Sequence, residues 1–513
     1  MNNKSKFQVK NSVGRVIFVA VAVLAQFAWI YILTLKMQKY SVAISLATSC
    51  LALLIVLSVY ASSENSAFKM PWIILILVFP VTGTLLYLLV GNSHVLRTRR
   101  RQFDCISSEL QTHLHQDEQV FAHLEHQDLA IANQSRYILN SGKYPIYQNT
   151  HVDYYGDTVE ALQAQIEALR TAEHFIFMEY HAIEDSTAFH SLLEVLKQKA
   201  AQGVDVRILY DDIGSMGFIN KDFIGRMKDV GIDCRVFNPM IPFLNVFMNN
   251  RDHRKITVVD NKIGFTGGYN LADEYFNITH PYGEWKDTGV RLEGDAVLNL
   301  TEIFLENWNA IKHTDTNYDQ YLALPENSFA DKGFVQPYAE TPLDDEALAE
   351  SIYMNIIKNA KKYVWFTTPY LITSDEMNRE LIQAAKRGVD VRIITPGIPD
   401  KKVVFRITRS HYDHLLSQGV KIYEYTPGFI HAKQCLADDE SAVVGTINLD
   451  WRSLYLHFEN GVYLYDCDCL SDMKQDFEQT FEIASEVTCD SRPPQSLLMR
   501  IWECLLRLVS TLM

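Results

Sequence analysis

Two stretches of this chain carry the same reactive residues at the same spacing. The first is His253-Arg254-Lys255 with Asp260, Gly267 and Asn270; the second is His431-Ala432-Lys433 with Asp438, Gly445 and Asn448. In both, Lys follows His by two positions, Asp by seven, Gly by fourteen and Asn by seventeen. A lone His-x-Lys carries no information, but five identities at fixed offsets, twice, do. Each copy offers an imidazole able to act as nucleophile or acid-base group, a fixed positive charge and a neutral amide donor. That set can hold a phosphate and attack its phosphorus.

The residues around these groups indicate how they are positioned. On an extended strand His-x-Lys places both side chains on one face, because side chains alternate with period two. The apolar runs Ile256–Val259 and Ile263–Thr266 predict buried strands joined by a turn at Asp260-Asn261. Gly267 and Gly445 remove a side chain where backbone must approach something closely. Further out, the whole neighbourhood repeats. Gly-Val-Asp-Val-Arg-Ile occurs at 203–208 and again at 388–393. An apolar strand and a helix precede it in each half: His174–Tyr180 and Ala188–Gln202, then Lys362–Tyr370 and Asp375–Arg387. Strand, helix, strand, helix, strand predicts a helix-covered α/β sheet in each half, with a turn-rich border near 325–345. Downstream, Trp285–Leu292 aligns with Phe458–Leu464 and pairs Asp287 with Glu459. A carboxylate there is expected to accept the Nδ1 hydrogen of the histidine in its own copy.

Composition narrows the function. Residues 1–101 hold eleven Lys/Arg against one acid, Glu64, a net of +10; the whole chain is −15, which leaves −25 for residues 102–513. So acidic a body argues against a nucleic-acid binder, and the basic segment flanks apolar runs suited to anionic lipid headgroups. Val16–Leu35, Val42–Tyr60 and Pro71–Val90 are each long enough to span a bilayer, although the third carries Pro71, Pro80 and Gly83. The first has too long an apolar stretch, and no cleavage site, for a removed signal peptide. Lys4, Lys6, Lys10 and Arg15 draw the amino terminus inward, and so do Arg97 and Arg99–Arg101 for the far end. Two or three spans therefore remain open, with the catalytic body placed in the cytoplasm. The eight cysteines lack zinc spacing and read as reduced thiols. His113, His115, His123 and His126 read as solvated histidines on an amphipathic helical connector. The tail, Leu497–Met513, reads as an amphipathic helix that either packs on the body or lies at a lipid interface.

The paired motifs resemble the phospholipase D superfamily. More narrowly, Asp252–Ile256, Gly264–Tyr275, Arg409–Tyr412 leading to His431–Lys433, Asn448–Ser453 and Pro80–Tyr87 are similar to bacterial cardiolipin synthases. One departure is His457, where Asn is expected before Phe458-Glu459. The resemblance implies two tandem phospholipase D-like α/β/α sandwich domains forming a pseudo-dimer behind transmembrane helices. The corresponding segments are 1–95 (anchor), 96–145 (connector), 146–330 and 331–490 (the two domains) and 491–513 (terminal helix). It further implies transfer of a phosphatidyl group between two phosphatidylglycerol molecules, giving cardiolipin and glycerol through a phosphatidyl-histidine.

In that scheme His253 is the nucleophile by family analogy and His431 the acid-base group. Lys255, Lys433, Asn270 and Asn448 hold the phosphate, and Asp260 and Asp438 complete the catalytic motif by orienting it. Asp287, Glu459, Gly267 and Gly445 support these groups. No cofactor or metal is required, since two lysines supply the positive charge. Partners are phospholipids in a multi-pass cell membrane and no nucleic acid, with room for a homo-oligomer. A lipid hydrolase and a phosphatidylserine synthase would share every catalytic residue. A membrane scaffold without catalysis would not need two complete motifs.

Overall fold

The computed structural model describes residues 24, 27–32, 41–91, 94–220, 222–239, 249–324, 329, 331–488 and 496–512. It divides into two units, one of residues 1–98, 240–249 and 500–513, the other of residues 99–239 and 250–499. Most of the first apolar run, Val16–Leu35, lies outside the described residues, as does Cys489.

In the first unit, Ser41–Ala61 forms an uninterrupted apolar helix, α1, and among the described residues it is the one long and apolar enough to cross a membrane. The third apolar run is not one helix. Helix α2, Ser66–Val78, stops at Phe79, whose backbone (φ −127°, ψ 74°) leaves the helical region ahead of Pro80. The chain restarts as Pro80–Leu86. There a Cβ on Gly83 would lie 2.5 Å from the carbonyl oxygen of Leu75, so the restarted turn packs backbone to backbone on α2. Ala52, Val56 and Ile76 fasten α1 to α2. The tail forms helix Leu497–Leu508, whose Leu497, Leu498, Ile501, Trp502 and Leu505 are exposed.

The second unit holds the repeat. Its connector is made of several helices, including Glu118–Gln127 and Leu129–Tyr137, with Asp117 and Asp128 capping their amino ends. The first half supplies β1 (Thr150–Tyr155), β2 (Phe175–Tyr180), β3 (Asp205–Asp211), β4 (Asp233–Phe237), β5 (Lys255–Val259), β6 (Ile263–Gly267), β7 (Glu284–Lys286) and β8 (Gly289–Gly294). The second supplies β9 (Phe334–Glu340), β10 (Tyr363–Thr367), β11 (Asp390–Pro396), β12 (Lys421–Tyr425), β13 (Gly428–Ile430), β14 (Gln434–Ala437), β15 (Ser441–Gly445), β16 (Glu459–Tyr465) and β17 (Ala484–Val487). Among the described residues, one sheet runs β1-β8-β6-β5-β2-β3-β4 and the other β17-β12-β11-β10-β14-β15-β16-β9. Within them β2, β3 and β4 are parallel, as are β10, β11 and β12. Helices Thr187–Ala201 and Asp375–Lys386 make the crossovers, as the apolar runs and their spacing require.

Both motif hairpins, β5–β6 and β14–β15, turn on two residues with positive φ: Asp260 and Asn261 at 52° and 56°, Asp438 and Asp439 at 57° and 64°. That is the turn whose twist suits a two-residue hairpin, and Asp and Asn tolerate it better than other side chains with a Cβ. The remaining pair, β7 with β13, is parallel and joins the halves: Glu284, Trp285 and Lys286 face Gly428, Phe429 and Ile430.

Candidate active site

The histidines stand at the junction between the halves. Neither lies inside its hairpin strand, contrary to the strand placement the alternation suggested. His253 is one residue past the bridge that pairs Asp252 with Phe458, and His431 is one past β13. Each backbone N–H donates to the opposite half, His253 to Phe458 O at 2.8 Å and His431 to Lys286 O at 2.7 Å. The residue after each acceptor is the carboxylate. The pairing is therefore crossed: His253 Nδ1 meets Glu459 Oε2 at 2.8 Å, and His431 Nδ1 meets Asp287 Oδ2 at 2.7 Å. This corrects the expectation that each acid serves its own copy. The docking of one half on the other, not the order of the repeat, selects the partner.

With Nδ1–H donated to a carboxylate, each ring presents Nε2 as its free lone pair. The lysines lie directly behind. Lys255 Nζ donates to His253 O at 2.6 Å, and Lys433 Nζ donates to His431 O. Burial lowers the Lys255 ammonium to about 8 and the Lys433 ammonium to about 7. The two copies share one electrostatic environment, since the charge on Lys255 depresses His431 and that on Lys433 depresses His253. Burial is the larger cause for both rings, holding His431 at about 4 and His253 well below the ordinary imidazole value. The acids differ. Burial pushes the Glu459 carboxyl well above its ordinary range. Burial also raises Asp287, but His431 and Lys433 overcome it and leave that carboxylate below its usual value.

The glycines sit where two strands close on each other. A Cβ on Gly267 would lie 2.4 Å from Thr288 O, and one on Gly445 2.4 Å from Asn460 O. Each glycine pairs in register with another, Gly267 with Gly289 and Gly445 with Gly461. The next residue separates the copies. At Gly268 a Cβ would stand 1.9 Å from Asp287 Oδ1, whereas Thr446 uses its hydroxyl to donate to Glu459 Oε2 at 2.6 Å.

The asparagines also differ. Asn270 accepts from Ala182 N at 3.1 Å and donates to the Tyr275 hydroxyl at 2.8 Å, and the Tyr275 ring lies 5.4 Å from His431. Asn448 is buried with no donor on its Oδ1.

Asp260 and Asp438 do not join this group. They lie at the far end of their hairpins, beyond the five residues of β5 and the four of β14, and each accepts three backbone N–H groups. The donors are Glu173, His174 and Phe175 for Asp260, and Lys361, Lys362 and Tyr363 for Asp438, all at 2.6–2.8 Å. Each ties its hairpin to the start of the neighbouring strand, β2 for Asp260 and β10 for Asp438. Their place in the motif is architectural: they hold the hairpin and do not reach the imidazoles.

Three neighbours of His253 were not among the candidate site residues, although His457 stood out as a departure from the family's pattern. The His181 ring lies 4.9 Å away with Nδ1 at 2.6 Å from Asp252 O, and the His457 ring lies 5.5 Å away. Arg254, the variable residue of the motif, is fully buried among Glu179, Glu306 and the backbone of Ile303 and Glu459.

A family model described as "Cardiolipin synthase, PLD-like domain" matches residues 166–291 and 353–481. A second, "Phospholipase_D-nuclease N-terminal", matches 49–92. Cardiolipin synthase 2 of Bacillus anthracis is 35% identical over 468 residues, 90% of each chain. A protein of Streptococcus mutans serotype c described as uncharacterized is 40% identical over 442 residues, 86% of this chain and 96% of that one. The crystal structure of phosphatidylserine synthase from Haemophilus influenzae Rd KW20 shares the fold, with a TM-score of 0.56 at 13% identity over 74% of this chain and 100% of that one. With two motif copies meeting at one junction and relatives aligned along nearly their full lengths, the chain belongs to the bacterial cardiolipin synthases, phosphatidyltransferases of the phospholipase D superfamily.

Proposed function

We propose that the site moves a phosphatidyl group from one phosphatidylglycerol to the terminal hydroxyl of another, releasing glycerol and forming cardiolipin. The observation that carries this reading is the crossed pairing of each histidine with the other half's carboxylate, which makes one site from two motifs. His253 Nε2 attacks phosphorus, the bond to the glycerol oxygen breaks, and His431 gives that oxygen a proton. His431 then takes a proton from the second lipid's hydroxyl, which attacks the phosphatidyl-His253 and frees its nitrogen.

The acids support this division of roles. His431 faces Asp287, whose ionised form stabilises an imidazolium and offsets part of the burial that depresses the ring, and a bound anionic phosphodiester acts in the same direction. His253 faces Glu459, which burial favours in its neutral form, so His253 stays the neutral nucleophile. Lys255 and Lys433 stand ready to carry the charge that develops on the non-bridging oxygens, worth about 3 kcal/mol per well-placed donor.

We assign residues 1–95 as the membrane anchor, supported by α1, and residues 146–330 and 331–490 as the two catalytic domains, supported by the strands each sheet draws on. The basic residues flanking the apolar runs favour a multi-pass anchor with the body in the cytoplasm. Purified protein given labelled phosphatidylglycerol as sole lipid is expected to yield cardiolipin and free glycerol in equal amounts. Phosphatidic acid without cardiolipin would overturn the reading in favour of a hydrolase.

A further inference from the structure

Beside Glu459 lies an imidazole that the reaction leaves idle. His457 is more than nine-tenths buried, and neither of its ring nitrogens has a hydrogen-bond partner. A buried polar group without a partner is costly, so a position that keeps one invites an explanation. Its Nδ1 lies 3.5 Å from Glu459 Oε1. One ligand atom from each of His253, His457 and Glu459 falls within 4.8 Å of the other two. The mirror position in the first half is Trp285, whose indole has no lone pair to offer a metal. His181, although its ring also flanks His253, has Nδ1 against Asp252 O.

Two imidazoles and a carboxylate with a fourth position open are a donor set for zinc and its first-row neighbours. Calcium and magnesium take oxygen ligands instead. We propose that His253, His457 and Glu459 form a binding site for a divalent transition ion of the zinc type, and that its occupancy inhibits transfer. The ion's bonds to His253 and Glu459 either occupy the lone pair needed for attack or replace the Nδ1 hydrogen bond that orients the ring. No electron transfer is involved, and removing the ion restores the site. The site stands on geometry alone; the inhibition rests on His253 being the nucleophile.

The test uses the full chain in detergent micelles. Zinc is titrated against a chromophoric chelator, cobalt is added as a spectroscopic substitute, and transfer is assayed in parallel. The wild type is expected to bind one zinc ion per chain and lose transfer with the same midpoint. Its cobalt form should show the intense visible bands of a four- or five-coordinate nitrogen site. His457→Asn should bind zinc at least about tenfold more weakly and keep its metal-free transfer within about twofold. His431→Ala should lose transfer yet bind zinc like the wild type, which separates the metal site from the reading of the reaction. A wild-type cobalt spectrum that is pale and octahedral would overturn the site without reference to any variant. Equal zinc affinity in His457→Asn would do the same, and full transfer with zinc bound would overturn the inhibition.

Discussion

Around His431 the neighbouring rings are Tyr275, Trp285 and Phe429; around His253 they are His181 and His457. The carboxylates diverge too, one held below its ordinary value and the other pushed above it. Yet the backbones match closely: equivalent N–H donors 2.8 and 2.7 Å from equivalent carbonyls, equivalent turns, equivalent aspartates each binding three amides. The repeat therefore keeps one frame and differs in the side chains a few ångströms off. Burial depresses both histidines, while the counter-charge beside each is different.

The largest break in this comparison comes from the histidines. His253→Ala and His431→Ala should each lower transfer by about 10³-fold or more, with little change in thermal midpoint. A loss confined to one variant would mean that the halves do not form one site.

Next, the acids should respond unequally. Asp287→Asn removes an ionised partner and should cost about 10²-fold in kcat, whereas Glu459→Gln replaces a group already favoured as neutral and should cost about tenfold or less. Equal losses would contradict the asymmetry. Gly268→Ala drives a methyl group into Asp287 and should match the Asp287→Asn loss. Thr446→Val, at the equivalent position, removes one hydrogen bond to Glu459, about 1 kcal/mol or several-fold in rate.

The smallest effect concerns pH. Lys433 and Lys255 act as ammonium ions, and burial brings their deprotonation down to about 7 and about 8. In the lipid-free enzyme kcat/KM should then fall as pH rises through that window, instead of holding to the ordinary lysine range near 10.5. Lys433→Arg, which cannot lose its charge, should move the first part of that decline upward whatever it does to the maximum rate. A profile flat to pH 9 would rule out the depressed lysines.

How much of this was legible beforehand depends on how locally each feature is determined. The offsets from His253 to Asn270 and from His431 to Asn448 marked the hairpins, because strand alternation and turn chemistry act over a few residues. Asp287 and Glu459 were found by aligning the copies, but their crossed partners were not, since no alignment within a chain says how its halves dock. The aspartates of the motif read as orienting groups because they recur at a fixed distance from the reactive residues, but what they hold was not legible. Their true constraint, three amides at the head of β2 or β10, lies about 75 to 87 residues away in sequence. The third apolar run had the length of a span, and its break was signalled by Pro80. His181 carried no usable pattern and His457 stood out only as a departure from an expected Asn, since a single histidine gains meaning only from its neighbours in space.

The central claim is that the two imidazoles share one phosphorus and that His253 is the one that bonds to it. Rapid acid-free quenching of the full-length enzyme with phosphatidylglycerol labelled in its phosphate, followed by peptide mapping, tests this directly. A phosphoramidate at His253, retained in His431→Ala when the donor carries a good leaving group, is the predicted result. Label at His431, or turnover with no label on either histidine, would contradict it.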